Sequence, residues 1–200
     1  VTSAGTDFLN DPDYKATIAT GSNRRRAQWL YRHPKHEVVN IRGNVNTRLE
    51  KVESNGWDGA IFAAAGLERI DLGHHIDQYL DWMVSAAAQG AMAVMIREGD
   101  TEMEDIISQL NHDETALCTT IERDFLHDME AGCSAPVGAY AHIDDGEVHF
   151  KAVALTLDGS ERYDFEEQVS VGEAGELGHT AAQALLSEGA IKVIEQMKSE

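Results

Sequence analysis

One unit, used twice within the first sixty residues, limits the fold of this chain more than any other feature. A short run of strand-forming residues leads into a turn, and the turn opens a helix that begins among arginines. The first copy reads Ala16-Thr17-Ile18-Ala19-Thr20, then Gly21-Ser22-Asn23, then Arg24-Arg25-Arg26-Ala27-Gln28-Trp29-Leu30. The second reads Val38-Val39-Asn40-Ile41, then Arg42-Gly43-Asn44, with Val45, Leu49 and Val52 at helical spacing and Arg48 in the first turn. Strand, turn and helix in repeated succession make an α/β unit with a parallel or mixed sheet.

The arginines point to chemistry. A helix start carries unpaired backbone N–H groups and the positive end of the helix dipole. Cations crowded there oppose the dipole, each at a cost of about 0.3–1 kcal/mol unless an anion answers them. A single such cluster reads equally well as a solvated basic face. Two clusters, each just past the carboxyl end of a strand, favour a pocket, because open α/β sheets bind ligands along that edge. The expected ligand is a carboxylated or phosphorylated small molecule. Ser22 or Asn23 is the expected N-cap of the first helix.

The remaining pattern divides the chain. Residues 1–15 read as a remnant or linker. Residues 16–83 form the α/β domain, with strands at 17–20, 38–42 and 58–64. Its helices are 24–32, stopped by Pro34, and 45–54, closed by Asn55-Gly56, and a further helix is expected over 76–82. Residues 84–99 form a separate segment, small and apolar over 84–96, where the second half reads as a buried strand or a buried helix, with no partner strand in evidence. Residues 100–200 form an α+β domain. There Asn111-His112-Asp113-Glu114 resembles a capping box, and Leu117, Ile121 and Phe125 carry a helix to Gly132. Three antiparallel strands follow near 136–143, 147–157 and 161–171, turned by Asp144-Asp145-Gly146 and Asp158-Gly159-Ser160. A helix through Leu177, Ala181 and Leu185 ends at Gly189, and a short one closes the chain. Trp29, Trp57 and Trp82 are expected core anchors.

Charge narrows the partners. The net charge is −19, yet residues 1–70 hold 10 of the 16 Lys and Arg and only 8 of the 35 acids. Beyond them, 6 bases face 27 acids. Such an acidic bulk argues against nucleic acid and anionic membrane surfaces as partners, while a local basic crevice can still gather a small anion. No apolar run is long enough to span a bilayer and no signal peptide opens the chain, so a cytoplasmic location is expected. The first residue is Val, which reads as a piece of a longer protein. The His and Cys spacings, including His74-His75, fit no zinc site, so no metal is expected. Gly-rich phosphate loops are absent. Cys118 sits among Leu117 and Ile121 and reads as packing. Cys133 lies in the loop Gly132-Cys133-Ser134-Ala135-Pro136-Val137-Gly138. Nearby Asp128 and Glu130 and a helix C-terminus do not lower a thiol pKa. The loop thus suits an ordinary buried cysteine or a covalent attachment made once, and not a cycling nucleophile.

In combination these residues resemble the porphobilinogen deaminase (hydroxymethylbilane synthase) family. The matching pieces run in family order. They are Thr20-Gly21-Ser22-Asn23-Arg24-Arg25, Asn40 to Arg48, Ala63 to Arg69, Ala88-Gln89-Gly90-Ala91, Leu110 to Ala116, and Gly132 to Tyr140. The resemblance implies a periplasmic-binding-protein-like α/β domain followed by a small domain with a three-stranded antiparallel sheet and helices. It implies a transferase of porphyrin and haem biosynthesis that joins four porphobilinogen molecules into hydroxymethylbilane, releasing ammonia. Growth occurs on a dipyrromethane cofactor held by a thioether, and the matching cysteine is Cys133. Arg24, Arg25, Arg42, Arg48 and Arg69 match positions that hold pyrrole carboxylates, and Thr20 and Ser22 match positions lining the same cleft. The partners implied are porphobilinogen and tetrapyrrole intermediates, in a monomeric full-length protein.

Departures accompany the match. Only 19 residues precede Thr20, where the family has most of a further domain that carries its catalytic aspartate. No residue here takes that role, and 84–99 matches the segment that returns to that domain. This chain alone is therefore expected to be inactive. Gly21 and Asn23 flank the arginines in place of the usual residues, and Ser85 and Ala88 stand where Pro and Gly are common. The alternative reading is a noncatalytic module that binds pyrrole carboxylates.

Overall fold

The computed structural model describes residues 1–132 and 134–199. Two units stand side by side, each with its own sheet. In the first, β1 (Thr17–Ala19) lies between β2 (Glu37–Val39) and β3 (Gly59–Ala60), all parallel. Alternation along β1 serves both faces of the sheet. Ile18, with Val38, packs against Trp29 of α1 (Asn23–Arg32), while Ala19, with Ile41 and Ala60, packs against Val52 of α2 (Val45–Ser54). Helices thus cover both faces, as parallel sheets require. Residues 1–3 run antiparallel along β3, with Val1 and Ala60 exchanging backbone hydrogen bonds at 3.2 and 2.8 Å. The stretch read as a linker is therefore tied onto this unit.

In the second unit, β4 (Val137–Asp144), β5 (Glu147–Leu155) and β6 (Arg162–Ser170) form an antiparallel meander. One face is buried under α5 (Asp113–Asp128) and α6 (Leu177–Leu185), and α7 (Ile191–Ser199) follows a break at Gly189. Phe125 of α5 and Phe150 of β5 are fully buried and meet edge to face at 6.0 Å, the arrangement aromatic quadrupoles favour. The two units share a smaller apolar contact in which Ala27 of α1 packs against Val153 and Leu155 of β5.

Several expected elements differ. Residues 76–82 form no helix; after a 3-10 turn at Gly73–His75 the chain is irregular and turns again at 81–82, where the Met83 N–H donates to the Leu80 carbonyl at 3.0 Å. Seven residues lie below the length at which a helix holds on its own propensity. Packing decides instead: Leu80, Trp82 and Met83 lie on the Trp29 cluster, and Asp77 accepts from the Thr2 N–H at 2.7 Å. The second half of 84–96 is neither a buried strand nor a buried helix. It is irregular, with Met92 and Met95 90 and 93% exposed, because no strand edge among the described residues satisfies its backbone. The outer strands are shorter than expected. β2 ends at Val39 as the chain peels toward the Arg42 turn, and Ala64 already begins α3 (Ala64–Glu68). A short α4 (Thr101–Ile107) was not expected. α5 starts at the His112 cap, whose ring accepts from the Thr115 N–H at 3.3 Å, and it ends at Asp128 rather than Gly132 because Glu130 turns to φ +47°. Trp29 is buried as expected, whereas Trp57 and Trp82 are half-buried flanks of their clusters. Among the described residues no helix is long and apolar enough to cross a membrane.

Candidate anion-binding cleft

The cleft forms where β1 and β2 hand over to α1 and α2. Thr20 continues the ladder by donating its N–H to the Val39 carbonyl at 2.9 Å, and its buried hydroxyl accepts from the Ser22 N–H at 3.3 Å. Ser22 then caps α1, its Oγ accepting from the Arg25 N–H at 3.4 Å. At the second handover Asn44 caps α2 by accepting from the Thr47 N–H at 2.9 Å. These local bonds fix where each arginine leaves the backbone.

Five predicted positions that carry or cap this charge, Ser22, Arg24, Arg25, Arg42 and Arg48, converge with Thr20 on one cleft, completed by Gly21, Ile41 and Gln89. Among the described residues no carboxylate lines it. The guanidiniums are held by neutral oxygens instead. Arg24 donates to the Val84 carbonyl and to Gln89 Oε1, both at 3.0 Å, Arg25 to the Ile61 carbonyl at 3.2 Å, and Arg48 through Nε to the Gly43 carbonyl at 2.7 Å. Arg26 turns away to the Val38 carbonyl at 2.9 Å. Among the described residues none of the four cleft arginines forms an ion pair. Burial, with the repulsion of Arg25 added, lowers the Arg24 pKa to about 10. Burial, with Arg48 added, lowers that of Arg25. Arginine side chains carry their charge in proteins, so the cleft holds concentrated positive charge with no ion-paired counterion among the described residues. An entering carboxylate or phosphate would relieve that repulsion and gain bidentate hydrogen bonds.

Arg69 is not part of this group. It follows α3, is exposed, and lies outside the cleft lining. Cys133 lies outside the described residues. Its neighbour Ser134 accepts from the Asn23 side chain at 3.0 Å, which brings that loop to the head of α1. Cys118 is buried in α5, where burial, then Glu122 and Glu114, raise its pKa, in keeping with a packing role.

Two residues were missed. Gln89 holds Arg24 and also accepts from the Ala86 N–H at 3.2 Å, so it sets the strap 84–89 against α1. Glu122 is buried and accepts from the N–H groups of Ala88 at 2.5 Å and Ala141 at 2.8 Å, tying the strap to β4 and α5. Burial raises its carboxyl pKa while the two N–H donors oppose the shift. The Gln89 motif was visible in the sequence; its contact with Arg24 depends on how the strap crosses the helix. Beside the arginines lies an apolar cavity of about 200 Å³, walled by Ile18, Trp29, Ile61, Leu80 and Met83 and shared with Arg24, Arg25 and Gln89. An apolar wall beside cations suits a flat ring system bearing acid side chains.

Comparison with known proteins finds matches along most of the chain. Residues 1–105 match the family model of the porphobilinogen deaminase dipyromethane cofactor binding domain, and residues 116–187 match that of the porphobilinogen deaminase C-terminal domain. Among curated relatives, the porphobilinogen deaminase of Geobacillus kaustophilus is 40% identical over 201 residues, 99% of this chain and 64% of the relative. That of Thermus thermophilus is 40% identical over 95% of this chain and 64% of the relative. That of Staphylococcus carnosus is 39% identical over 92% of this chain and 60% of the relative. The chain thus spans about three fifths of the length of the relatives it matches.

Proposed function

We infer that this chain, which belongs to the porphobilinogen deaminase family, is the carboxylate-holding part of an enzyme that joins four porphobilinogen molecules into hydroxymethylbilane with release of ammonia. The observation that carries this reading is the cleft of four arginines, lined by no carboxylate among the described residues. Its donors fit a polycarboxylate. Arg25, Arg42 and Arg48 pair with acetate and propionate side chains, Arg24 braces the strap while adding charge, and the Ser22 and Thr20 hydroxyls line the wall. Arg69 keeps its assignment on the resemblance alone. Bound through a thioether to Cys133, the dipyrromethane supplies the end on which the chain grows.

Holding the ligand is not the same as catalysing the reaction. Deamination requires an acid near the leaving amine, and geometry precedes pKa in choosing one. Among the described residues no acid lines the cleft, and equal binding of ground and transition states does not accelerate a reaction. The 200 residues alone are therefore inactive in this reading. The apolar segment 84–99 pairs with a further domain, the parallel-sheet unit is of the periplasmic-binding-protein-like type, and the full protein is a cytoplasmic monomer. The same absence of a cleft acid also favours a second reading, a noncatalytic carboxylate-binding module.

The test uses the protein as its gene encodes it, with any flanking sequence. Conversion of porphobilinogen is expected, with a dipyrromethane adduct by intact-protein mass spectrometry that Cys133→Ser abolishes and Cys118→Ser retains. An adduct on Cys118 would overturn the attachment site. No adduct and no conversion would favour the noncatalytic module.

A further inference from the structure

The outer face of the antiparallel sheet carries a second arrangement of functional side chains, unrelated to the arginine cleft. The turn between β4 and β5 is Asp145-Gly146, and both residues adopt positive φ, +48° and +80°. That is the signature of the two-residue hairpin turn whose twist matches its strands, and such a turn fixes the register beyond it. Counting outward, Asp144 opposes Glu147, Ile143 opposes Val148, and His142 opposes His149. Ile143 and Val148 turn inward to the core, so the two histidines share the solvent face with Asp144 and Glu147 in the next row.

The histidines are not merely near each other. Directly opposed residues hold their Cβ atoms about 4.5–5.5 Å apart. Here the imidazoles lie nearly parallel, with centroids 4.9 Å apart and planes 15° apart. Tyr140 stacks on the far side of His142 at 5.5 Å and 21°, which steadies that ring. The neighbouring charges are also arranged. Lys151, the nearest cation on this face, is paired with Glu166 at 2.8 Å. Gln168, opposite His149, donates its amide to Glu147. Asp144 remains exposed beside the pair, within a half of the chain that is strongly acidic. A divalent cation is therefore attracted to this face.

We propose that His142 and His149 form a two-nitrogen binding site for a divalent transition metal, with Cu²⁺ preferred. Metal–nitrogen bonds of about 2.0–2.1 Å place two cis nitrogens about 3 Å apart around one ion. Facing imidazoles reach that separation by turning about χ2, a broad torsion for histidine. Imidazole ligands suit copper, nickel and zinc, and affinity for a given nitrogen site peaks at copper. Among the described residues no third His, Cys, Asp or Glu completes a set of three. Water fills the remaining positions, so the site is open and exchangeable rather than a closed structural centre.

The experiment is titration of the metal-free 200-residue chain with Cu²⁺, followed by calorimetry and electron paramagnetic resonance. The strongest site should bind one ion with two imidazole nitrogens in its hyperfine pattern, and it should raise the melting temperature through linkage. His142→Ala and His149→Ala should each weaken binding at least about tenfold and leave one coordinated nitrogen, since even outer partners of metal ligands are worth about 10–100-fold. His142→Gln and His149→Gln repeat the test with a polar cross-strand pair kept, and His127→Ala, at an exposed histidine elsewhere, should change nothing. Retained affinity and two-nitrogen coordination in the His142 and His149 variants would overturn the proposal. So would location of the strongest site at His33 and His36 or at His74 and His75, or no binding at all.

Discussion

Replacing Gly159 with alanine tests how firmly the cleft helix is seated on the neighbouring unit. Gly159 turns the chain between β5 and β6 at φ +71°, and a Cβ built there would lie 2.5 Å from the Tyr31 nitrogen and 2.7 Å from the Ala27 carbonyl oxygen. Both atoms are backbone of α1 and cannot swing aside. The turn cannot retreat either. Asp158 accepts from the Thr156 hydroxyl at 2.6 Å, the Ser160 N–H at 3.0 Å and the Ser160 hydroxyl at 2.8 Å. Those bonds, the Thr156 one foremost, hold the Asp158 carboxyl at a pKa of about 2. Left-handed backbone at a non-glycine residue costs about 1–2 kcal/mol, and forcing extra atoms into a packed contact costs about 1–3 kcal/mol. Gly159→Ala should therefore destabilise by about 2–5 kcal/mol. Gly146→Ala supplies the control, because φ there is +80° but nothing lies within 4 Å of the added carbon; it should cost only the backbone share, about 1–2 kcal/mol. Both are read by urea unfolding followed by circular dichroism. Since α1 carries Arg24 and Arg25, Gly159→Ala should also weaken anion binding, which Gly146→Ala should leave alone. Equal losses in the two variants, within about 0.5 kcal/mol, would refute a tight contact between the turn and α1.

Three further outcomes are expected. Arg42→Ala and Arg48→Ala should each weaken binding of a small polycarboxylate by about 1–3 kcal/mol in calorimetry, the range for charge-assisted hydrogen bonds; Arg24→Ala should lower folding stability as well, because its two bonds hold the strap. The purified 200-residue chain should convert no porphobilinogen, and measurable product would place a catalytic acid within it. His179 of α6 pairs with Asp128 of α5 at 2.6 Å, a bond that raises the imidazole pKa and lowers the carboxyl pKa. The imidazole favours folding fully below its ordinary value of about 6.5 and loses that effect as pH rises through its elevated value. The carboxylate acts in the opposite sense, losing its effect as pH falls through its depressed value. The melting-temperature gap between the parent chain and His179→Gln should therefore be widest near pH 5.5 and close on the alkaline side; a gap that widens above pH 8 would reject the pairing.

What the sequence disclosed follows the range of the forces involved. The cap at Ser22, one of two candidates in the sequence, and the Asp145-Gly146 turn rest on bonds spanning a few residues, so composition and spacing point to them; the Asn44 cap is equally local but was read only as part of a turn. The arginine cleft was legible for the same reason, since each half is a local handover from strand to helix. Residues 76–82 misled because their apolar spacing is compatible with a helix, while the surface that claims Leu80, Trp82 and Met83 comes from Trp29, some fifty residues earlier. Gln89 and Glu122 act through backbone groups brought together by the strap, and spacing carries no trace of that. The histidine pair falls between these cases. Its register follows from a two-residue turn, but a separation of seven positions matches no metal-binding spacing until the strands are aligned across the hairpin.

The same contrast explains why a chain this acidic can present a cleft for acids. Had Asp or Glu answered Arg24 and Arg25, their ion pairs would compete with any carboxylate arriving from solvent, and displacing them would leave a charge buried without a partner. Main-chain and amide oxygens orient the guanidiniums instead. A carbonyl carries only a partial negative charge, so it fixes geometry without neutralising the cation. The cost appears as the lowered pKa of Arg24 and Arg25, whose first cause is burial and whose second is a neighbouring arginine. That cost is recovered only when an anion binds. The surplus of acids elsewhere acts against nonspecific anions at long range, where salt screens it over about 8–10 Å. Raising the ionic strength should then weaken this repulsion and the cleft's attraction together, leaving the short-range, bidentate hydrogen bonds to discriminate carboxylates from other anions.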